Sequence, residues 1–284
     1  MTAFAERDLT LPGGRTLHVY DSGGPGRLTV LWHHGTPNLG APPGPLLPLG
    51  EELGIRWISY DRPGYGSSTP VPERSVGTAG EYATAVADAL GVGRFAVLGH
   101  SGGSSHALAC AALLPDRVVA AAGLAAVAPF YGENWFAGMA DPGSLRAATE
   151  GRAAKERYEA AARFDPAVFT DADFAALKGS WSWLDSVVQP ALGAVGLIDD
   201  DLAYVAPWGA DPAAIAVPVL LVHGEDDRMV PAAHSRWLAA RCPRAELRLT
   251  PGDGHISVLD HAAAALTWLA DQASSASEAT TGAR

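Results

Sequence analysis

The chain has 284 residues, 48% of them hydrophobic and 18% charged, which is enough for one sizeable core with or without a small lid. A net charge of −11, without any dense cluster of lysine or arginine, argues against nucleic acid as a partner. No apolar stretch is long enough to span a membrane, and residues 1–10 lack the pattern of a secretory signal. Two cysteines make no disulfide framework, so we expect a cytoplasmic protein.

Strand and helix patterns alternate along most of the chain. Alternating segments at 4–11 and 16–21, separated by Pro12-Gly13-Gly14, predict an antiparallel hairpin. Apolar runs predict buried strands at 28–33, 56–60, 95–98, 118–127, 217–222 and 245–249. Helical spacing predicts helices at 49–53, 78–90, 103–114, 232–241 and 257–270. The fold class is therefore α/β, with a mostly parallel eight-stranded sheet covered by helices on both faces.

The pattern changes between residues 130 and 208, where helical stretches (145–162, 172–177, 183–188) occur without a strong strand. We expect 130–208 to form a helical cap over the carboxyl ends of the strands, where open α/β sheets bind ligands. The core then comprises 1–129 and 209–271, and the Ser-, Ala- and Thr-rich residues 272–284 are expected to be disordered. Large cap side chains are candidates for lining a substrate pocket: Trp135, Phe136, Met139, Trp181, Trp183 and Tyr204.

A serine between glycines stands where the strand at 95–98 meets the following helix. Residues 99–103 read Gly-His-Ser-Gly-Gly, which is a G-x-S-x-G motif with Ser101 at its centre. A strand that reverses into a helix within two residues leaves no room for a Cβ on either side of the serine. Such a turn exposes the hydroxyl beside a helix N-terminus, and Ser101 is therefore a candidate nucleophile.

A nucleophilic serine requires a base and a group that orients the base. His255 follows the last predicted strand within Gly252-Asp253-Gly254-His255, which places it at the same edge of the sheet as Ser101. The segment 224–231 follows the preceding strand and contains three acids. We choose Asp227 as the partner of His255, because the turn at Gly224 directs the acid three residues later inward.

With its order Ser101…Asp227…His255 the chain resembles α/β-hydrolase fold proteins, and the resemblance covers nearly the whole sequence. It includes the His-Gly-Thr-Pro loop of residues 34–37 and the Asp-Arg-Pro-Gly-Tyr-Gly turn of residues 61–66. The resemblance implies an oxyanion hole made by the backbone N–H groups of Thr36 and Gly102. His34 and His100 are further pocket candidates, and His34 is expected to shape its loop rather than to react.

The three residues together predict acyl transfer, and the aromatic-rich cap favours a small to medium apolar substrate such as an ester or lactone. Neither a Cys/His cluster nor a metal-ligand spacing occurs in the sequence, so we expect no cofactor or metal. Proline iminopeptidases are also similar, but they favour a Gly-Gly-Pro-Gly oxyanion loop and a tryptophan beside the nucleophile, where this chain has residues 34–37 and His100. We therefore rank an esterase above an aminopeptidase or a C–C bond hydrolase. A protein of another class, a non-hydrolytic ligand binder or cyclisation catalyst on the same fold, is the remaining alternative.

Overall fold

Residues 4–281 are described by a computed structural model, with side chains through residue 275. Eight strands form one sheet in the order β1-β2-β4-β3-β5-β6-β7-β8. Their bounds are β1 Ala5–Leu11, β2 Arg15–Asp21, β3 Leu28–His33, β4 Ile55–Tyr60, β5 Phe95–His100, β6 Val118–Leu124, β7 Val219–Gly224 and β8 Ala245–Thr250. Only the pairs β1–β2 and β2–β4 are antiparallel, which confirms the predicted sheet.

The helices of the described residues lie on both faces of this sheet. Their bounds are α1 Leu47–Leu53, α2 Ala79–Ala89, α3 Gly102–Leu113, α4 Gly143–Thr149, α5 Arg152–Ala161, α6 Asp171–Lys178, α7 Leu184–Val188, α8 Val195–Val205, α9 Ala233–Ala239 and α10 Ala262–Thr281. Successive residues of β3 show the two faces: Leu31 packs with α2 and α3, while Val30 and Trp32 pack with α10. Such strands are buried on both sides, which explains their continuous apolar runs.

The segment between β6 and β7, which we call the insertion (residues 125–218), contains α4 to α8 and no strand. The predicted helix at 145–162 is in fact two helices, because Gly151 adopts a φ of 97° between α4 and α5. The sequence did not predict α8, since Asp199, Asp200 and Asp201 interrupt its apolar pattern. In the structure all three carboxylates are buried and paired with cations from other elements.

The sequence predicts disorder for residues 272–284, whereas the structure gives most of them a helical backbone. Helix α10 continues to Thr281, and residues 282–284 lie outside the described part of the chain. The reason is local: Leu266 and Leu269 anchor the first turns in the core, and neither glycine nor proline occurs before Gly282 to stop an alanine-rich helix. Within residues 4–281, none of the helices combines the length and apolar character needed to cross a membrane.

Replacing the buried Lys155 of α5 by methionine is expected to lower the free energy of unfolding by about 3–5 kcal/mol. Its ammonium is fully buried against Asp201 and Glu159, and its removal leaves the Asp201 carboxylate buried without a cation. Urea unfolding measures the loss. Lys178→Met is the matched control, because Lys178 is exposed and is the only other lysine in the sequence; its cost should stay below about 1 kcal/mol. Equal losses in the two variants would contradict this account.

Candidate active site

Ser101 lies at the turn where β5 ends and α3 begins. Its φ of 56° and ψ of −131° fall in a region that residues other than glycine rarely adopt. A Cβ at Gly99 would lie 2.4 Å from the Gly103 oxygen, and a Cβ at Gly103 would lie 2.1 Å from the His33 oxygen. The Ser101 N–H donates to the Leu124 carbonyl at 2.9 Å, which ties the turn to β6. The glycines of the motif are thus a steric requirement of this turn.

Three side chains far apart in sequence meet at this turn. The Ser101 Oγ lies 3.0 Å from His255 Nε2, and His255 Nδ1 lies 2.8 Å from Asp227 Oδ2. All three residues are buried. The ionised Asp227 can only accept, so Nδ1 of His255 carries the proton and Nε2 is free to accept the serine hydroxyl. The structure therefore brings Ser101, His255 and Asp227 together in the arrangement that the sequence predicted.

Burial and neighbouring charges set the protonation of these groups. Burial alone would lower the pKa of His255, but the Asp227 carboxylate outweighs burial and raises that pKa above its ordinary value. Burial would raise the pKa of Asp227, but His255 and His223 hold it below its usual range. Asp227 also accepts the backbone N–H groups of Met229 at 2.9 Å and Val230 at 2.8 Å. The carboxylate is therefore ionised and held in one orientation.

Two further buried histidines contact this arrangement. His100 Nε2 donates to the carbonyl oxygen of His255 at 2.9 Å, and burial lowers the pKa of His100 to about 3, so its ring is neutral. His223 Nε2 donates to the Val230 carbonyl at 2.7 Å and lies 3.3 Å from Asp227 Oδ2. His100 was predicted from the sequence as a pocket residue, whereas His223 was not. The available signal was its position directly before the glycine that opens the acidic loop.

A carboxylate from the insertion holds the loop that carries His255. Asp173 of α6 accepts the N–H groups of Ile256 at 2.7 Å and Ser257 at 2.8 Å, and its other oxygen accepts the Thr170 N–H at 2.8 Å. Burial would raise the pKa of Asp173, but these backbone hydrogen bonds hold it below its usual value. Asp173 was not predicted from the sequence as a site residue. The Thr-x-x-Asp pattern of residues 170–173 indicates a helix start and gives no sign of the distant loop.

Ser101 and His255 open onto a cavity of about 670 Å³, which Thr36 and His100 also line. Much of its apolar wall comes from the insertion, and these residues are Phe164, Phe169, Leu177, Leu184, Val188 and Leu192. Met229 and Ile256 add apolar surface from the core. None of these eight side chains was predicted from the sequence, where the candidates in the cap were Trp, Phe, Met and Tyr residues at other positions.

The large side chains that the sequence nominated for the pocket do not line this cavity. Trp135, Phe136 and Met139 pack in the core cluster with α2 and α3, and Trp135 Nε1 donates to the Ala128 carbonyl at 2.8 Å. Trp181 donates Nε1 to the Asp260 carboxylate at 2.9 Å.

The other nominated side chains also lie elsewhere. The ring of Trp183 lies against Gly44, and Tyr204 contacts the Thr36 hydroxyl. His34 likewise stays outside the cavity wall: its Nδ1 donates to the Gly35 carbonyl at 2.8 Å and its Nε2 accepts the Arg62 N–H at 3.0 Å. The Trp, Phe and Tyr candidates could not be assigned from the sequence, because an aromatic ring gains similar burial energy against the core and in a pocket.

Thr36 and Gly102, the residues expected to bind an oxyanion, lie at the same edge of the sheet. Thr36 follows β3 and lines the cavity together with Ser101, and the adjacent strand β5 leads to Gly102. Gly102 is the first residue of α3, where backbone N–H groups have no intrahelical partner. Ser101, His255 and Thr36 thus line one cavity, and the helix start at Gly102 directly follows the Ser101 hydroxyl. Within the described residues, no cluster of three or more His, Cys, Asp or Glu side chains could bind a metal ion.

A pimeloyl-(acyl-carrier protein) methyl ester esterase from Aromatoleum aromaticum is 36% identical over 86 residues, which cover 30% of this chain and about a third (33%) of that protein. A 2-hydroxy-6-oxo-6-phenylhexa-2,4-dienoate hydrolase from Burkholderia cepacia is 26% identical over 258 residues, or 87% of each chain. The solved structure of an enol-lactonase from Burkholderia xenovorans has a TM-score of 0.69 at 21% identity, with 94% of this chain and 99% of that one covered, which shows a shared fold.

A family model described as alpha/beta hydrolase fold matches residues 29–262. This range runs from β3 to the start of α10 and so includes the parallel part of the sheet, the turn at Ser101 and the loops of Asp227 and His255. The match covers most of the chain, and the sheet order agrees with it. The chain belongs to the α/β-hydrolase fold family and is a hydrolase.

Proposed function

We propose that this hydrolase cleaves small to medium apolar carboxylic esters or lactones through an acyl-enzyme on Ser101. The observation that carries the proposal is the continuous contact from the Ser101 hydroxyl through His255 to Asp227, which opens on an apolar cavity. In this proposal Ser101 is the nucleophile, His255 the general base and acid, and Asp227 the group that orients the imidazole.

The proposed reaction has two halves. Nε2 of His255 takes the hydroxyl proton as Ser101 Oγ attacks the carbonyl carbon, and the N–H groups of Thr36 and Gly102 stabilise the oxyanion. His255 then protonates the leaving alcohol oxygen, so that the acyl group remains on Oγ as an ester. Water attacks that ester with His255 as base, which releases the acid and restores the serine. Asp227 keeps Nδ1 protonated throughout and stabilises the imidazolium.

The cavity supports the proposed substrate class. Its volume of about 670 Å³ is typical of sites for small organic molecules, which range from roughly 300 to 1,000 Å³. Two apolar lining residues, Phe164 at 67% and Leu192 at 56%, keep large exposed fractions, so a bound acyl or alkyl group can cover surface that is now in water. Apolar area is thus available for binding near the reacting hydroxyl.

Ser101→Ala is expected to lower kcat/KM for p-nitrophenyl butyrate by at least about a thousandfold, because it removes the nucleophile. Ser67→Ala, at an exposed serine in another turn, is the matched control and should retain full activity. A fluorophosphonate probe should label the wild type at Ser101 and leave Ser101→Ala unlabelled. Unchanged esterase activity in Ser101→Ala would overturn the proposal, and so would labelling of the wild type at a residue other than Ser101. Absence of both activity and labelling in the wild type would favour a non-hydrolytic protein.

The pH dependence should report His255. Its imidazole must be neutral to accept the serine proton, and its pKa is raised above the ordinary value of about 6.5. The kcat/KM for an uncharged ester should therefore rise with pH along a limb centred above that value.

Asp227→Asn should lower kcat by roughly 10³–10⁴-fold and shift the limb to lower pH, because the imidazolium loses its anion. Asp173 also raises the His255 pKa and stays in place in this variant. A limb that does not move in Asp227→Asn would contradict the role of Asp227.

An aminopeptidase-like activity is the second candidate, and it has one specific observation in its favour. Asp185 of α7 lines the cavity with an exposed carboxylate, which could pair with a substrate ammonium. Within the described part of the chain, neither lysine nor arginine is among the lining residues, so an anionic substrate such as a dienoate would find no cation there. This observation ranks C–C bond hydrolysis of an anionic substrate below both other reactions.

Proline p-nitroanilide and p-nitrophenyl butyrate separate the two candidates. We expect turnover of the ester and no measurable release of nitroaniline from the amide, and Asp185→Asn should leave kcat/KM for the uncharged ester within about twofold, because an exposed charge interacts weakly with a neutral ligand. Asp165 is an exposed aspartate outside the cavity lining and serves as the control. Cleavage of the amide at a rate comparable to the ester, reduced in Asp185→Asn and unaffected in Asp165→Asn, would establish the aminopeptidase instead.

A further inference from the structure

Helix α8 of the insertion sends two side chains to the loop that contains Thr36. Asp200 and Tyr204 are four residues apart and so lie on the same face of the helix. Thr36 Oγ1 donates to Asp200 Oδ2 at 2.6 Å and lies 2.9 Å from Tyr204 Oη. Because the single proton of the threonine hydroxyl goes to the carboxylate, the tyrosine is the donor in the second bond. Tyr204 therefore donates a hydrogen bond to Thr36, which in turn donates one to Asp200.

Asp200 holds this loop through arginine as well. Its carboxylate is fully buried and accepts Arg62 Nη2 at 2.7 Å, Arg62 Nε at 3.1 Å and Arg74 Nη2 at 2.6 Å. Arg62 in turn donates to the carbonyl oxygens of His34 and Gly35, the latter at 2.9 Å. Burial opposes ionisation of Asp200, but the two guanidinium groups outweigh it and hold its pKa well below the usual range. Charge-assisted hydrogen bonds thus hold the loop at the Thr36 side chain and at the backbone carbonyl groups of His34 and Gly35.

Tyr204 also contacts the second proposed oxyanion donor. A Cβ at Gly102 would lie only 1.9 Å from Tyr204 Oη, so the phenol hydroxyl lies directly against the first residue of α3. The same oxygen is bonded to Thr36. One rigid phenol therefore spans the two residues whose backbone N–H groups are expected to bind the oxyanion. Beside this loop, two arginines face one carboxylate, so Arg62, Arg74 and Asp200 carry a net positive charge. None of these three residues lines the cavity.

We infer that Asp200 and Tyr204 are positioning residues for the oxyanion site, so that α8 sets the distance between the Thr36 and Gly102 N–H groups. The inference rests on the proposed function, since it assigns the geometry of that same site. The insertion then has two roles: it lines the cavity, and it holds the donors that stabilise the transition state. A shift of about 1 Å in such donors is enough to cost about a hundredfold in rate.

Tyr204→Phe is the sharpest test, because it removes one hydroxyl and keeps the ring. We expect kcat for p-nitrophenyl butyrate to fall about ten- to a hundredfold while KM stays within about twofold, since the lost contact acts on the transition state. The affinity for a trifluoromethyl ketone, whose adduct with serine carries an oxyanion, should fall by a similar factor. The acid limb of the pH profile should stay in place, because His255 and Asp227 are untouched. Tyr20→Phe, at a buried tyrosine that donates to Asp61 at 3.1 Å, is the control and should leave kcat unchanged.

Thr36 provides a second pair of variants that keeps the inference testable if changes at Asp200 prevent folding. Thr36→Val removes the bridging hydroxyl and should reproduce the loss in kcat and in inhibitor affinity, whereas Thr36→Ser keeps that hydroxyl and should restore most of both. Wild-type kcat in Tyr204→Phe and Thr36→Val, even with a lowered melting temperature, would overturn the inference. That result, combined with loss of activity and labelling in Ser101→Ala, would leave the proposed function intact; failure of the Ser101 experiment would reject both.

Discussion

The structure depends on one constraint, the conformation of the backbone at Ser101. A non-glycine residue held in this region costs about 1–3 kcal/mol, which the surrounding fold must offset. The turn is held between two parallel neighbours, since the Ser101 N–H bonds to Leu124 in β6 and the oxygens of β3 leave no space beyond hydrogen at Gly103. The hydroxyl consequently points to the edge of the sheet where the loops after β3, β7 and β8 converge.

Two of those loops, the ones after β3 and β8, are fixed by buried carboxylates of the insertion. Asp173 accepts the N–H groups beside His255, and Asp200 accepts the Thr36 hydroxyl and two guanidinium groups. An ion buried without partners is strongly destabilising, so each of these acids is stable only while the insertion and the core remain in contact. Asp173 and Asp200 therefore couple the position of the insertion to the positions of the His255 and Thr36 loops.

Proteins that share this fold act on different bonds, as the names of an esterase, a dienoate hydrolase and an enol-lactonase illustrate. Reaction type follows from the groups around the nucleophile rather than from the sheet. In this chain those groups are aliphatic and aromatic side chains from α6, α7 and their flanking loops, with Asp185 as a charged lining residue. The insertion thus supplies much of the apolar wall around Ser101.

The sequence by itself determined the sheet, its helices and the meeting of Ser101, Asp227 and His255, because buried parallel strands and the glycine-bounded turn follow from local sterics. It could not determine α8, since three consecutive aspartates have the pattern of a solvent-exposed segment. Their partners, such as Arg62, 138 residues away, become neighbours only in the folded chain. The pocket wall was undetermined for a related reason: hydrophobic burial has no direction, so Trp135 in the core and Leu184 in the cavity look equally apolar in sequence. Tertiary packing alone decided which of them lines the cavity.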